Sequence, residues 1–257
     1  MNESIKEVRH DQTKLNKSQK ILSLLDTALF PFAGKIEING SKNLKEILKN
    51  ESVIFATTHL SDQDVTLAVR EYLREFQQPF LIARASTHNL KEKPFHYVSE
   101  KIFGGEYFVD IATVEEKGRE KGIFSFENFM PISEEARKGK NIFVAGFYIS
   151  DPKYCNFGQV NTELPPKIGV AAPVISLLSG KAIIPVTVDM GKGLKPETKI
   201  NFGEVIRPSE LSDEDKGKDI KELLKDKRGE IREMSDQVAK QMAAMLPAEK
   251  RGVWGQN

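Results

Sequence analysis

The sequence has little of what marks several large classes of protein. Among 257 residues it holds one cysteine, Cys155, and four histidines, so an internal disulfide and a cysteine-rich zinc site are both excluded. We therefore expect a reducing compartment. Thirty-eight Lys and Arg against 37 Asp and Glu leave a net charge of +1, which provides no strong field to hold nucleic acid.

Long apolar runs and targeting signals are missing as well. The longest apolar stretches, Ile21 to Ala33 and Ile168 to Leu178, are shorter than the roughly 20 residues that cross a bilayer. The first twenty residues carry scattered charges and have no apolar core or small-residue cleavage site. We expect no transmembrane helix and no export, and hence a cytoplasmic protein.

Several familiar catalytic motifs are also absent. The chain has no G-x-S-x-G elbow, no G-x-x-x-x-G-K-[ST] phosphate loop, no G-x-G-x-x-G fingerprint and no H-E-x-x-H pair. The usual signatures of α/β hydrolases, P-loop enzymes, dinucleotide-binding enzymes and zincins are therefore missing. Cys155 lies in a loop-like stretch without a basic neighbour in sequence, which favours an incidental thiol over a nucleophile.

What the sequence does contain is a regular alternation of strand-like and helix-like segments. The strand-like segments are GKIEING, SVIFA, FLIARA, EYFVDI, NIFVAGFYI and KAIIPVTV. Helical patterns separate them, and the charged stretch from Asp213 to Ala248 predicts a helix or helix pair that covers the sheet. The prediction is an α/β fold with a central, mostly parallel or mixed sheet and helices on both faces.

The N-terminal segment predicts an amphipathic helix that ends near Pro31. We divide the chain into a helical extension, residues 1–33, and one α/β domain, residues 34–257. Two interpretations of the helix stay open: it packs on the domain, or its apolar stripe lies on a lipid surface. The stripe consists of Leu22, Leu25, Leu29 and Phe32 and follows three lysines, Lys14, Lys17 and Lys20.

His59 directly follows a predicted strand and precedes a predicted helix, which places it at the carboxyl end of the sheet. Asp64 comes five residues later, where its carboxylate can return to one imidazole nitrogen and leave the other free to accept a proton. Two alternatives remain. Asp64 can instead form a capping box with Ser61, and Asp62 is a competing partner for His59 at closer spacing.

The block THLSDQD resembles the H-x-x-x-x-D block of the glycerolphosphate and lysophospholipid acyltransferase family. The resemblance continues in the family's order over residues 34 to 254. Its later blocks are GGEYFVDI, EEARKGKNIFVAGFYIS, PPKIGVAAPVISLLSGKAIIPVTV and the terminal LPAEKRGVW. The resemblance implies transfer of a fatty acyl group from an acyl-CoA or acyl carrier protein thioester to a lysolipid or a glycerol-phosphate-like acceptor.

The resemblance also implies roles for individual residues. His59 is the expected general base and Asp64 its orienting partner. The expected substrate-binding residues are Arg84, Gly146, Tyr148 and Lys167. The donor is already activated, so we expect no metal and no cofactor, only the thioester as co-substrate. The expected partners are a lipid acceptor, the thioester donor and the inner face of a membrane, met peripherally.

The second and third blocks depart from the family's pattern. Ile111 stands where the family has arginine after Asp110, and Ala145 stands where it has glutamate. Neither side chain can hold a phosphate or accept a hydrogen bond from a hydroxyl. We therefore expect a more apolar acceptor pocket. A lipid-binding module that has lost catalysis and an acyl-thioester hydrolase remain as alternative functions.

Overall fold

The computed structural model describes residues 19–29, 34–58, 60, 64–87, 98, 101–114, 122–123, 128–145, 163–166, 169–191 and 197–255. The strands in these ranges form one eight-stranded sheet with the order β1-β8-β7-β2-β6-β3-β4-β5. Strands β2, β3, β4, β6 and β7 run parallel to one another, whereas β5 pairs antiparallel with β4 and β8 with β7. The predicted α/β fold with a mostly parallel mixed sheet is confirmed.

Six of the eight strands fall in the predicted segments, and β5 and β8 do not. Their bounds are β1 Ile36–Asn39, β2 Ile54–Thr57, β3 Phe80–Thr87, β4 Phe108–Val114, β5 Gly122–Ile123, β6 Asn141–Ala145, β7 Ile183–Met190 and β8 Thr198–Phe202. Every residue of β2 is buried, as expected for a strand with a neighbour on each side and helices on both faces.

The helices alternate with these strands. The first, α1, covers residues 19–24 and continues as a π-helical turn, Leu25–Leu29. The others are α2 Ser41–Asn50, α3 Asp64–Glu75, α4 (described at residues 98 and 101–103), α5 Phe129–Arg137, α6 Ala171–Ser179, α7 Asp213–Lys216, α8 Ile220–Asp226 and α9 Arg228–Met245. Gly180 ends α6 in the left-handed conformation, with φ of 71°, as its position after the predicted helix suggested.

Each face of the sheet packs against its own set of helices. On one face, Ile54 and Ala56 of β2 belong to a core with side chains of α5, α6, α8 and α9. On the other face, Phe55 belongs to a second core with side chains of α1, α2 and α3. Successive side chains of a strand point to opposite faces, so the two cores use alternate residues of β2.

Four elements differ from what the sequence patterns predict. Strands β5 and β8 were not among the predicted strand-like segments. The segment SKNLKEILKN, whose pattern predicts a capped helical turn, forms the ten-residue helix α2, and α5 begins at Phe129, two residues before Pro131, the predicted start of that helix. The charged C-terminal stretch does cover the sheet, as three helices instead of one or two. In α2 the buried side chains Leu44 and Leu48 are four residues apart, which explains its length, because that spacing keeps both on the core side.

Of the two interpretations of the N-terminal helix, packing on the domain is the one that Leu25 follows. Leu25 is 0% exposed and Ile21 is 3% exposed, and both belong to the core beneath α2 and α3. A leucine enclosed in this way cannot also insert into lipid. Phe32 lies outside the described residues. In the described ranges, none of the helices has the length and apolar character that crossing a membrane requires.

Candidate active site

The described residues next to the predicted site lie at one edge of the sheet. Strands β2, β6 and β3 are adjacent and parallel, so their carboxyl ends lie side by side. Thr57, the last residue of β2, pairs with Ala145 of β6 and with Val186 of β7. Crevices at such edges are where open α/β sheets bind their ligands.

The chain stays attached to the sheet for one residue beyond β2. The Thr58 N–H donates to the Val186 carbonyl oxygen at 2.8 Å, and Thr58 Oγ1 accepts from the Val188 N–H at 2.9 Å. Thr58 is 0% exposed. His59 itself lies outside the described residues, but the residue before it is fixed to β7 by two hydrogen bonds.

Asp64 holds the chain on the other side of His59. Its Oδ2 accepts a hydrogen bond from the Leu60 N–H at 2.8 Å, and the residue is 1% exposed as the first residue of α3. A carboxylate there is stabilised by the positive end of the helix dipole. Asp64 therefore returns to the loop that contains His59, and the contact between the two side chains stays a prediction.

Both alternatives for this loop involve residues outside the described ones. Ser61 and Asp62 are among these, so the capping box of Ser61 with Asp64 and the competing role of Asp62 both stay predictions. The described hydrogen bond of Asp64 goes to the Leu60 N–H, one residue before Ser61.

The hydroxyls of Thr57 and Thr58 differ in their hydrogen bonding. Thr57 is 0% exposed, and its Oγ1 is the one buried side-chain polar atom in the described part of the chain without a hydrogen-bond partner. A buried hydroxyl in that state costs about 1–3 kcal/mol. Phe55, two residues earlier, belongs to the core under α3, so alternation places Thr57 on that same face.

The second predicted block forms β4, which β6 and β3 separate from β2. Arg84 of β3 pairs with Asp110 of β4, and the next pair is Ala85 with Ala112. Ile111 is thus the extra residue of a β-bulge, and bulges re-aim side chains and are common beside active sites. Ala145 is the last residue of β6 and pairs with Thr57. The register therefore brings Arg84, Asp110, Ile111 and Ala145 to the same edge.

The remaining predicted substrate-binding residues, Gly146, Tyr148 and Lys167, lie outside the described residues. Their chain neighbours are described. Gly146 follows the end of β6 directly. Lys167 follows Pro165 and Pro166, and α6 begins four residues later, at Ala171.

The C-terminal segment, which we define as Lys250–Trp254, reaches the same edge of the sheet. Lys250 Nζ forms an ion pair with Asp189 and lies 3.4 Å from the Met190 carbonyl oxygen, at the carboxyl end of β7. The Leu164 N–H donates to the Lys250 carbonyl oxygen at 2.8 Å. Trp254 Nε1 donates to the Pro165 carbonyl oxygen at 2.9 Å. The segment thus connects β7 with the chain that leads to Lys167.

The carboxyl-terminal half of α3 carries a second group of charges, of which Arg70 and Glu71 are buried. Arg70 donates from Nε to Asp26 of α1 at 2.6 Å and from Nη1 to Glu71 at 2.6 Å. Arg74 Nη2 contacts both Asp26 carboxylate oxygens, at 2.7 and 2.8 Å. Burial raises the pKa of Glu71 despite the nearby guanidinium groups of Arg70 and Arg74. We call Asp26, Arg70, Glu71 and Arg74 the α1–α3 ion cluster.

Sequence reasoning missed the residues that hold the site from a distance. Thr58 directly precedes His59, but its bond to Val188 depends on a strand more than 120 residues further on. Lys250 and Trp254 lie in the terminal block that carried the family resemblance, and no role had been assigned to them. The ion pair between Lys250 and Asp189 joins residues that are far apart in the sequence, so no local pattern predicts it.

In the ranges that the structure describes, no three His, Cys, Asp or Glu side chains are grouped in a way that could hold a metal ion. A scan against protein-family models finds no match for this chain. A search of curated proteins finds no significant match either.

Proposed function

We propose that the protein is an acyltransferase. It moves a fatty acyl group from a thioester donor, acyl-CoA or acyl carrier protein, to a hydroxyl of a lysolipid or glycerol-phosphate-like acceptor. His59 is the general base and Asp64 its orienting partner. The observation that supports this most is the buried Asp64 carboxylate, which lies at the start of α3 and binds the backbone of the loop that holds His59.

Two features of the sheet edge support the same assignment. A general base must be held within hydrogen-bond reach of the proton that it removes. The chain is hydrogen-bonded at Thr58 and again at Leu60, the two neighbours of His59 in the sequence. In addition, the strand register brings Arg84 and Ala145 to the same edge as Thr57, as an acceptor pocket beside the base requires.

The reaction needs alignment and one proton carrier. The His59 imidazole removes the proton from the acceptor hydroxyl while the oxygen attacks the thioester carbonyl carbon. The tetrahedral intermediate then expels the thiolate. The imidazolium returns its proton to the sulfur, so the products are an ester and a free thiol. The Asp64 carboxylate stabilises the imidazolium that forms between these two steps.

The departures at Ile111 and Ala145 concern the acceptor. Without arginine and glutamate at these positions, we expect an acceptor with little or no charge to be used better than a lysophosphatidate. We place the enzyme in the cytoplasm, where it meets its lipid substrate peripherally at the inner face of a membrane. Leu25 contributes nothing to that contact, because it is enclosed in the core.

The experiment follows free thiol released from palmitoyl-CoA by the full chain, with and without a panel of lysolipids and monoacylglycerol. His59→Ala should lower the rate by about two to four orders of magnitude, the usual worth of a general base. Asp64→Asn should cost less and should lower the apparent pKa of the acid limb, because a neutral partner no longer stabilises the imidazolium. The amide oxygen can still accept from Leu60.

Asp62→Asn is the matched control and should retain most of the activity. A larger loss in Asp62→Asn than in Asp64→Asn would assign the orienting role to Asp62. Thiol release that does not depend on an acceptor would indicate a hydrolase. Lipid binding without thiol release in the wild type would contradict the proposal in favour of a binding module.

A further inference from the structure

We propose that Asn39 is a site of spontaneous deamidation, that hydrogen bonds across β1, β8 and β7 control its rate, and that the carboxylate product weakens the pairing of β1. The inference goes beyond the proposed function and does not depend on acyl transfer. Among the asparagines of the chain, Asn39 is the one that glycine follows. Deamidation begins with attack by the backbone nitrogen of the next residue, and a glycine nitrogen is the least hindered.

The reaction replaces an amide with a carboxylate. The Gly40 nitrogen attacks Asn39 Cγ, so a bond between these two atoms forms and the bond from Cγ to Nδ2 breaks. The amide nitrogen leaves as ammonia with the proton of the Gly40 N–H. Water then opens the cyclic imide at one of its two carbonyl carbons, which yields aspartate or isoaspartate. Asn39 is exposed at the carboxyl end of β1, so water reaches it.

The side chain of Asn39 is the outer end of a row of hydrogen bonds that we call the amide ladder: Asn39, Asn201 and Thr187. The three residues are neighbours in the register of β1, β8 and β7. Asn39 Nδ2 donates to Asn201 Oδ1 at 2.9 Å and to Glu37 Oε1 at 3.2 Å. Asn201 Nδ2 donates in turn to Thr187 Oγ1 at 3.0 Å and to the Met245 carbonyl oxygen at 3.3 Å. Thr187 is 0% exposed, so the ladder runs from the surface to the core.

The amide ladder has a fixed direction. A carbonyl oxygen can only accept, so the contact with Met245 requires the NH2 group of Asn201 to face Met245 and its oxygen to face Asn39. Position 39 must therefore present a donor. An ionised aspartate only accepts, and it would place a carboxylate against the Asn201 oxygen and the Glu37 carboxylate. Deamidation thus turns two hydrogen bonds into repulsive contacts.

The same hydrogen bonds slow the reaction. The leaving group is Nδ2, which two acceptors hold in the paired state, so attack requires the end of β1 to open locally. Strand β1 has four residues and lies at an edge of the described sheet, where local opening costs less than at its centre. Loss of an acceptor should therefore raise the rate of deamidation.

Gly40 cannot be exchanged for a bulkier residue that would protect Asn39. Its φ is 81°, and a Cβ at this position would collide with the Phe202 carbonyl oxygen. Isoaspartate adds a methylene to the main chain directly before this close backbone contact. The helix α2 begins at the next residue, and its Leu44 and Leu48 are buried, so the product should disturb α2 as well as β1.

The test incubates the full chain in mildly alkaline buffer and maps its peptides by mass spectrometry. Asn39 should convert to aspartate and isoaspartate, but more slowly than in a synthetic peptide of residues 36–43, where no sheet holds it. Asn201 is the internal control. It takes part in the same hydrogen bond, but Phe202 follows it and hinders the attack, so it should not convert.

Two variants test the control by the amide ladder. Asn201→Ala removes an acceptor of Asn39 and should speed its deamidation about two- to tenfold, the range that corresponds to one hydrogen bond. Asn50→Ala removes an exposed side-chain hydrogen bond on α2 and should leave the rate unchanged. Equal rates in the two variants, or in the folded chain and the peptide, would overturn the inference. So would an unconverted Asn39 in Asn201→Ala after the peptide has reacted.

The effect of the product is measured with Asn39→Asp and its matched control Asn39→Gln, which keeps the amide donors. Asn39→Asp should have a Tm at least about 2 °C below that of Asn39→Gln, because the carboxylate faces two acceptors. An equal or higher Tm for Asn39→Asp would show that the amide ladder tolerates a carboxylate, and would contradict the proposed weakening of β1.

Discussion

Helix α3 buries charged side chains near both of its ends, but the two ends use them differently. At the amino end, Asp64 accepts a hydrogen bond from the backbone of the loop that contains His59. Toward the carboxyl end, Arg70 and Glu71 bind each other, and Asp26 and Arg74 complete the α1–α3 ion cluster. In our proposal, the amino end of α3 binds the loop that contains His59, whereas the carboxyl-terminal half binds helix α1.

The difference shows that buried charge alone does not identify a site. In the ion cluster the positive and negative groups lie close enough to compensate one another, which is the usual condition for burying them. At the amino end, the acidic group binds a backbone N–H in the loop that contains His59. Its position at the carboxyl edge of a parallel sheet, rather than its burial, is what supports a role in chemistry.

The largest effect on stability is expected from Arg70→Ala. Arg70 and Glu71 side chains are each 5% exposed, so the change leaves a buried carboxylate with Arg74 at 3.3 Å as its remaining ion pair. Removal of one partner from a buried pair costs about 3–5 kcal/mol. Urea denaturation should show this loss in the free energy of unfolding, while acyl transfer persists below the melting temperature.

Lys49→Ala is the matched control for this prediction. Lys49 pairs with Glu46 on α2, but the two side chains are 65% and 71% exposed. Exposed pairs contribute about 0–1 kcal/mol, so this variant should unfold nearly as the wild type does. Equal losses of unfolding free energy in the two variants would show that the buried ion pair of Arg70 stabilises the protein no more than an exposed pair does.

An intermediate effect, with opposite signs, is expected from the two threonines at the end of β2. Thr58→Val removes the acceptor of the Val188 N–H and should cost about 1–3 kcal/mol. Thr57→Val removes a buried hydroxyl that has no partner in the described part of the chain, and should add about 1 kcal/mol. Equilibrium unfolding of both variants measures the two changes.

These two variants also separate stability from the proposed site. Thr58→Val should lower the acyl-transfer rate, because Thr58 fixes the chain directly before His59, whereas Thr57→Val should keep it. If both substitutions destabilise the protein, the Thr57 hydroxyl has a partner that the described contacts do not include.

The smallest effect is expected from Asp26→Asn. Partial burial acts to raise the pKa of Asp26, but the hydrogen bonds and charges of Arg74 and Arg70 outweigh it and leave the pKa below the ordinary 3.8. Asp26 and Arg74 are 36% and 38% exposed, so the cost should stay below about 1 kcal/mol.

This contribution depends on pH in a defined direction. Because the pKa of Asp26 is lower in the folded protein, its contribution is complete above pH 3.8 and is lost as the pH falls through the lowered value. The difference in unfolding free energy between the wild type and Asp26→Asn should therefore shrink below about pH 4. A difference that grows on acidification would contradict the assigned pairing.

The sequence was sufficient for elements that carry their own pattern. The apolar run that became β2 reflects burial against the core. Strand β8 escaped prediction because its alternating residues, TKINF, are short and follow a Gly- and Lys-rich stretch. Its place in the sheet comes from pairing with β1 and β7, which no local pattern records.

The candidate site likewise has a part that a local sequence pattern predicts and a part that depends on long-range contacts. The placement of Asp64 in the first turn of α3 followed from a short spacing along the chain. The anchoring of Thr58 to Val188 and of Lys250 to Asp189 joins residues from distant parts of the sequence. The role of Leu25 stayed open between core and lipid, because its helix is amphipathic and periodicity does not distinguish a core from a membrane.

The strand order also has a consequence for how the chain folds. Strands β7 and β8 lie between β1 and β2, although Ile54 of β2 pairs with Ile183, more than 120 residues later. During synthesis, one edge of the apolar strand β2 therefore stays unpaired until the chain has been made beyond β7. Such long-range pairing makes folding slow and exposes unpaired strand edges. Fragments that end before β7 should consequently aggregate on release from the ribosome instead of folding to part of the sheet.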